Sequence, residues 1–447
     1  MPQPTNKRLV TEAAVAGHVN TEVTTPGTPT ALALGAAYAS VASVAAKADA
    51  AATTAALATK ASTADLAAKA GLTDIDASQR LKEDRADQAY NALRTFRRAL
   101  LTRDTAPVNM WHIGDSITVG VSPATLATRW ASVLRDRLRL DFPTAGNPVG
   151  GFGFYSANVA NNPNVVTTGG LLTSQGSSAF SPDSYVWRAV ASGDKQVYTF
   201  TGTGADIIYW EVAFGVSQAF YWKVDGGAAT NVVTDTGYTA PKRVQITGLT
   251  AGVHTIEVGW AAGNGTTSYS GISGIVAYNG DETKGFRSIA AGISGGTTAT
   301  WNAMATGPYE IAKLYAPDLV TIGLGTNDYG GTVPVTAATY KTNIQGMITK
   351  IKARTTGKVP SFVILFPAEI FKASPLDPFS AYRTAAYEIA AADPDNVTVL
   401  DWGSRLNPVP TFNSTLGGLL HTDYVHPTAT GHAYIAQMEQ RFLPTGG

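Results

Sequence analysis

The chain has 447 residues, 44% of them hydrophobic, and its 33 Lys+Arg are balanced by 33 Asp+Glu. That length predicts two or three domains with enough apolar material for true cores, and the zero net charge argues against a dedicated nucleic-acid binder. The absence of cysteine excludes disulfides, thiolate metal sites and a cysteine nucleophile. The N-terminus, Met1–Arg8, lacks the apolar region of a signal peptide and no apolar run reaches the length of a membrane span, so neither a cleaved leader nor membrane insertion is expected.

Residues 1 to about 30 are polar and rich in Thr and Pro, which predicts an extended arm with no core of its own. From Ala31 to Ala70 alanine dominates, and Thr54–Ala61 (TAALATKA) returns nine residues later as Thr63–Ala70 (TADLAAKA). Alanine favours helix, but a nine-residue step turns a straight helix by about 900°, which places Leu57 and Leu66 on opposite sides. Such a segment needs partners on more than one side, and its small side chains bury little as a monomer. Residues 78–102 form a better helix, with Ser78 as N-cap and a stripe of Ala86, Ala89, Leu93, Phe96 and Leu100. That stripe fits either packing on the following domain or a short dimeric or trimeric coiled coil. By composition, residues 1–104 resemble the shafts of bacteriophage tail fibres and minor tail proteins. The resemblance implies a helical oligomerisation stalk, a homotrimer, other tail proteins as partners and a place in the virion.

From Pro107 the pattern becomes strand, loop, helix. Val108–Ile113 is an apolar strand that ends in Gly114-Asp115-Ser116, and Leu126–Leu140 is an amphipathic helix. A serine at the carboxyl end of a buried strand, just before a helix, is well placed for attack, because its own N–H lies where negative charge is stabilised. A capped turn is the competing reading of the same three residues. Residues 143–180 are rich in Gly, Asn, Ser and Thr, and Gly150–Phe154 is no phosphate loop because no Lys-Ser/Thr follows it. Residues 181–280 read as all-β: β-branched and aromatic runs alternate with hairpin signals at Asp225-Gly226-Gly227 and Thr250-Ala251-Gly252. They predict a small sandwich inserted into an α/β domain made of 105–180 and 281–447. The α/β rhythm resumes near Phe286 and continues to a closing helix at Gly431–Phe442, which implies a parallel sheet with helices on both faces.

Read together, the strand ends converge. The first ends at Gly114-Asp115-Ser116, the second at Ser294-Gly295, the third at Gly325-Thr326-Asn327-Asp328. Asp423-Tyr424-Val425-His426-Pro427 stands just before the last helix. These four blocks in this order resemble the SGNH (GDSL-type) hydrolases, over about residues 105–155 and 285–445. No Gly-x-Ser-x-Gly elbow follows the first strand, unlike in the α/β-hydrolase fold. The resemblance implies a three-layer, flavodoxin-like hydrolase domain acting on carboxylic esters without a cofactor or metal. It assigns Ser116 as nucleophile, His426 as base and Asp423 as the group that orients the imidazole. It assigns the Ser116 N–H, the Gly295 N–H and the Asn327 amide to an oxyanion hole, with Asp115 and Asp328 in support. Gly292 and Gly296 compete with Gly295. His112, His421 and His432 read as structural or solvent-exposed, and a metal site from His421, Asp423 and His426 would leave the serine and asparagine without purpose.

The expected function is a serine esterase, a carbohydrate O-deacylase carried on a tail fibre and acting on acylated host cell-surface polysaccharide. The alternatives are a tail protein that uses an esterase fold only to bind glycan, and a free bacterial esterase.

Overall fold

The computed structural model describes residues 88–121, 125–145, 153–174, 181–210, 219–233, 241–262, 271–369, 375–405 and 418–445. The arm, the alanine repeat and the start of the 78–102 helix lie outside the described residues. In chain order, α1 (Arg94–Leu101) leads to β1 (Pro107–Gly114), α2 (Ser116–Val119) and α3 (Trp130–Asp141). A run of strands follows: β2 (Gly153–Ser156), β3 (Val165–Thr168), β4 (Leu171–Ser174), β5 (Tyr185–Arg188), β6 (Lys195–Gly202) and β7 (Gly204–Trp210). It continues with β8 (Ala219–Val224), β9 (Thr230–Val233), β10 (Pro241–Ile246), β11 (Gly252–Trp260) and β12 (Gly271–Tyr278). Alternation of strand and helix resumes with β13 (Gly285–Gly292), α4 (Thr298–Ala303), α5 (Ile311–Tyr315), β14 (Leu319–Gly323), α6 (Thr326–Gly330) and α7 (Ala337–Lys352). It closes with β15 (Ser361–Phe366), α8 (Phe379–Ala392), β16 (Val397–Asp401) and α9 (Ala429–Thr445).

Strands β13-β1-β14-β15-β16 form a five-stranded sheet in that order, and every pairing is parallel. The continuous apolar runs are explained by burial on both faces. Along β1, Trp111 and Ile113 join a core with Tyr340, Ile344 and Ile389 of α7 and α8. Val108 and Met110 point the other way, to Phe96 of α1, Trp130 and Leu134 of α3, and Ile435 of α9. Each fully buried aliphatic side chain in these layers stabilises the fold by roughly 1.5–3 kcal/mol.

The remaining strands build two further sheets, β10-β7-β12-β5-β4 with β2 paired to β12, and β3-β6-β11-β8-β9. They enclose a core of Tyr155, Trp187, Tyr198, Ile207, Ile256 and Ile275. β12 is buried along its whole length, because its other face meets the parallel-sheet core: Phe154, Ile208 and Val276 share a cluster with Trp111 and Trp301. The junction is also polar. Buried Asp206 accepts from Tyr315 Oη at 2.9 Å and Arg243 Nη1 at 2.8 Å.

Two boundaries differ from the sequence expectation. β2, β3 and β4 lie within 153–174, ahead of residue 181, and pair into the antiparallel sheets; their Gly/Thr-rich composition hid short strands. Ala89, Leu93, Phe96 and Leu100, placed in the 1–104 stalk, are buried against the parallel sheet and α9. Their stripe is spent on that core and not on a coiled coil. Between α4 and α5 the chain makes a 3₁₀ turn at Gly307–Glu310.

A charged clamp holds the β8–β9 hairpin. His254 is buried, with Nδ1 2.7 Å from Asp225 Oδ2 and Nε2 2.6 Å from the Thr250 carbonyl. Both partners are acceptors, so both ring nitrogens must carry protons. Asp225 foremost, then the Thr250 carbonyl, raises the His254 pKa above 6.5. A raised pKa contributes stability that is complete below the unfolded value and lost as pH climbs through the folded one. The melting temperature is therefore expected to fall as pH rises above about 6.5, and His254→Gln to lessen that slope in thermal unfolding from pH 6.5 to 9, the remainder coming from buried Glu439, which desolvation raises to about 8. His112 and His432, both held down to about 3 by burial, titrate on folding only below that window.

Candidate active site

The parallel strands end on a row of glycines: Gly114 of β1 pairs with Gly292 of β13 and Gly323 of β14. A Cβ on Gly114 would lie 2.0 Å from Thr118 Oγ1, and one on Gly292 2.5 Å from the Asp115 carbonyl. Only side chains this small let α2 sit directly on the strand ends. Asp115 caps α2, its Oδ1 accepting from the Ile117 N–H at 2.9 Å. The Gly114 carbonyl accepts from the Ile293 N–H at 3.0 Å and Trp301 Nε1 at 3.1 Å. Ser116 follows as the first residue of α2, with 8% of its surface exposed.

His426 arrives from a tight loop in front of α9. Its chain is closed by His421 N–H to the His426 carbonyl and Thr428 N–H to the Leu419 carbonyl, both 2.9 Å. Tyr424 takes φ +59°, unusual for a side chain of that size. The imidazole bridges two groups: Nε2 lies 2.8 Å from Ser116 Oγ and Nδ1 2.6 Å from Asp423 Oδ2. Burial would raise the Asp423 pKa, but the His426 hydrogen bond and the N–H groups of Val425 and His426 outweigh it and hold it below 3.8. The carboxylate thus stays ionised beside the ring. His421 and His432 are not part of this bridge; His432 is buried and its Nδ1 accepts from the Trp130 N–H at 3.2 Å. His112 is also buried, edge-on to Trp130 at 4.8 Å. Both are buried in the core, the structural one of the two readings the sequence left open.

On the opposite side, Asn327 of α6 donates through Nδ2 to the Gly296 carbonyl at 3.1 Å and to Asp115 Oδ2 at 3.4 Å. The amide is therefore aimed at the strand-end turn that carries Ser116. The three candidate glycines differ. The Gly296 N–H closes a β-turn onto the Ile293 carbonyl at 2.8 Å, and Gly292 is packed against α2. Gly295 sits third in that turn with φ +73° and open space where a Cβ would be.

Two carboxyls support the turn. Desolvation raises Asp115 to about 7, aided by nearby Asp328, against the Ile117 N–H. Desolvation likewise raises Asp328 to about 6, although it accepts from the Thr298 N–H at 3.0 and 3.1 Å and from the Thr298 hydroxyl. The partner of Asp328 was not legible in the sequence; the only signal was a threonine pair at the start of α4.

Residues 249–434 match the family model of the GDSL-like Lipase/Acylhydrolase family. The matched segment holds Gly295, Asn327, Asp423 and His426 and begins beyond Ser116. The chain superposes on a peptidoglycan O-acetylesterase with a TM-score of 0.57 and 16% identity, covering 79% of this chain and 95% of that one. It also aligns with a family two carbohydrate esterase from Cellvibrio japonicus (TM-score 0.28, 13% identity, 65% and 96% covered). A lipase/acylhydrolase from Enterococcus faecalis aligns at TM-score 0.28 and 21% identity, with 36% and 77% covered. No curated protein matches the sequence.

Asp328→Ala leaves the Thr298 N–H and hydroxyl without their acceptor. It is expected to cost about 1–3 kcal/mol, read as a lowered urea midpoint at constant m-value.

Proposed function

We propose that this chain, an ester hydrolase carrying a GDSL-type domain, is a serine esterase that removes acyl groups from polysaccharide. The observation that carries the reading is the imidazole of His426 bonded at once to the Ser116 hydroxyl and the Asp423 carboxylate. A serine hydroxyl is a weak nucleophile at neutral pH without an adjacent base. In the proposed reaction Ser116 Oγ attacks the acyl carbonyl as His426 Nε2 takes its proton. Asp423 holds the Nδ1–H tautomer and stabilises the imidazolium. The tetrahedral oxyanion is met by the Ser116 and Gly295 N–H groups and the Asn327 amide. Gly295 is preferred because the N–H of Gly296 is already engaged within its turn. Collapse breaks the bond to the sugar oxygen, which takes the proton from His426 and leaves as the alcohol, and water then releases the acyl group by the same steps.

Asp115 has a positioning role in this reading. Its two oxygens bind the first turn of α2 and the Asn327 amide, coupling nucleophile to oxyanion donor. The preference for glycan esters is prompted by the fold shared with a peptidoglycan O-acetylesterase. Residues 153–278 are read as a β-module inserted between the serine block and the rest of the hydrolase. The placement on a bacteriophage tail, as a trimer acting on host surface glycan, is supported by the composition of the first hundred residues alone.

Ser116→Ala is expected to reduce p-nitrophenyl acetate turnover to background, and Asn327→Ala to lower kcat by about 10²–10³ with a smaller change in KM. Acetate release from acetylated cell-wall glycan, with Ser116→Ala as control, tests the substrate class. A folded Ser116→Ala protein with undiminished turnover would overturn the mechanism.

A further inference from the structure

The two outer donors of the proposed oxyanion hole come from different strand ends, Gly295 after β13 and Asn327 after β14. Those ends are stitched together twice. Asn327 Nδ2 donates to the Gly296 carbonyl at 3.1 Å. The Asp328 carboxylate accepts from the Thr298 N–H at 3.0 and 3.1 Å and from the Thr298 hydroxyl. Asp328 and Thr298 are both fully buried, so water does not compete for the second stitch.

Behind Thr298 a polar chain continues to half-buried Lys350. Thr298 Oγ1 accepts from Asn343 Nδ2 of α7 at 3.1 Å. Asn343 Oδ1 accepts from Asn302 Nδ2 of α4 at 3.0 Å, and Asn302 Oδ1 accepts from Lys350 Nζ at 2.9 Å. Lys350 also donates to the Asn302 carbonyl and rests over the Tyr309 ring, 5.5 Å from its centroid. The two ends fix the direction of the chain. An ammonium can only donate, and an ionised carboxylate can only accept. Each amide between them therefore turns its oxygen toward Lys350 and its NH₂ toward Asp328, and the single Thr298 hydroxyl proton is left for the carboxylate. Helix α7 admits the chain through a glycine: a Cβ on Gly346 would lie 2.4 Å from Asn302 Oδ1. Glycine weakens a helix interior, and here it sits where Asn302 must fit.

We propose that Asn343 is a positioning residue for ester hydrolysis: it holds the Thr298 hydroxyl on Asp328 and so fixes the Gly295 N–H and the Asn327 amide at one spacing around the oxyanion. The proposal rests on the esterase reading given above. With the relay cut, the Thr298 hydroxyl is free to turn, Asp328 loses a fixed donor, and the turn at 327–328 can shift against 295–298. Oxyanion donors act in the transition state, so the loss falls on kcat more than on KM.

Turnover of p-nitrophenyl acetate by single and double variants tests it. Asn343→Leu should lower kcat by about five- to tenfold, the worth of one neutral hydrogen bond, with KM changed by about twofold or less. Thr298→Val should do the same, whereas Thr298→Ser, which keeps the hydroxyl, should retain most of the activity. The decisive readout is a cycle with Asn327→Ala. A residue that acts through the oxyanion hole has little left to act on in that background, so Asn343→Leu should cost about twofold or less there. A general loosening of the fold would lower kcat by the same factor in both backgrounds. Equal losses in the two backgrounds, or a Thr298→Val protein with unchanged kcat, overturn the role. If Asn343→Leu does not fold, the two Thr298 variants taken through the same cycle decide the matter. An intact protein inactive on p-nitrophenyl acetate would sink the esterase reading and the positioning role with it; an active one with additive losses sinks the positioning role alone.

Discussion

The structure depends on one close approach, that of the first turn of α2 to the ends of three parallel strands. Gly292, Gly114 and Gly323 lie side by side in register, and at Gly114 and Gly292 a methyl group would collide with α2. Their absence of side chains lets a strand become a helix within two residues, so the serine leaves the sheet edge at a fixed angle. The carbonyl freed at that corner is satisfied from two sides, by the Ile293 backbone and the Trp301 indole. A buried carbonyl without such partners would favour rearrangement. The backbone at the corner is therefore held before any substrate arrives, which is what electrostatic preorganisation requires.

The imidazole is held by a different device. Asp423 and His426 are three residues apart on one loop, so their pairing is local and survives small movements of the loop as a whole. What must be set over a long range is the distance from that loop to Ser116. The path runs through α9: the His432 N–H bonds the Thr428 carbonyl at 2.8 Å, and the His432 ring accepts from the first N–H of α3. Burial keeps that ring neutral, and a neutral ring can offer Nδ1 as acceptor. A second histidine thus anchors the loop that carries the first, without taking part in the bridge to Ser116.

Much of this was legible in the sequence for a physical reason. Strands buried on both faces read as apolar runs, and the residues at their carboxyl ends are forced together by parallel topology. That reading brought Ser116, Gly295 and Asn327 to one rim, whereas Asp423 and His426 precede the last helix and were singled out by the resemblance to the SGNH hydrolases. Residues that depend on long-range packing were not. Ala89, Leu93, Phe96 and Leu100 have a spacing that suits a coiled coil and a sheet-packed helix equally, and periodicity cannot say which surface covers them. β3 and β4 are four residues each in Thr- and Gly-rich sequence, with too little periodicity to register. The bond between Asp328 and Thr298 joins positions 30 apart, and no local pattern marks it.

The antiparallel sheets change how the proposed site should be viewed. A β-module attached by a linker would present glycan from a mobile platform, and its contribution would be one of effective concentration. Here Phe154, Ile208 and Val276 are part of the same apolar core as Trp111 of the strand that leads to Ser116, and Tyr315 reaches across to Asp206. A surface fixed this firmly to β1 would, in the proposed esterase, add specificity only through groups already within reach of the ester. Selection in such an esterase would then rest on rigid contacts and not on where a tethered domain swings.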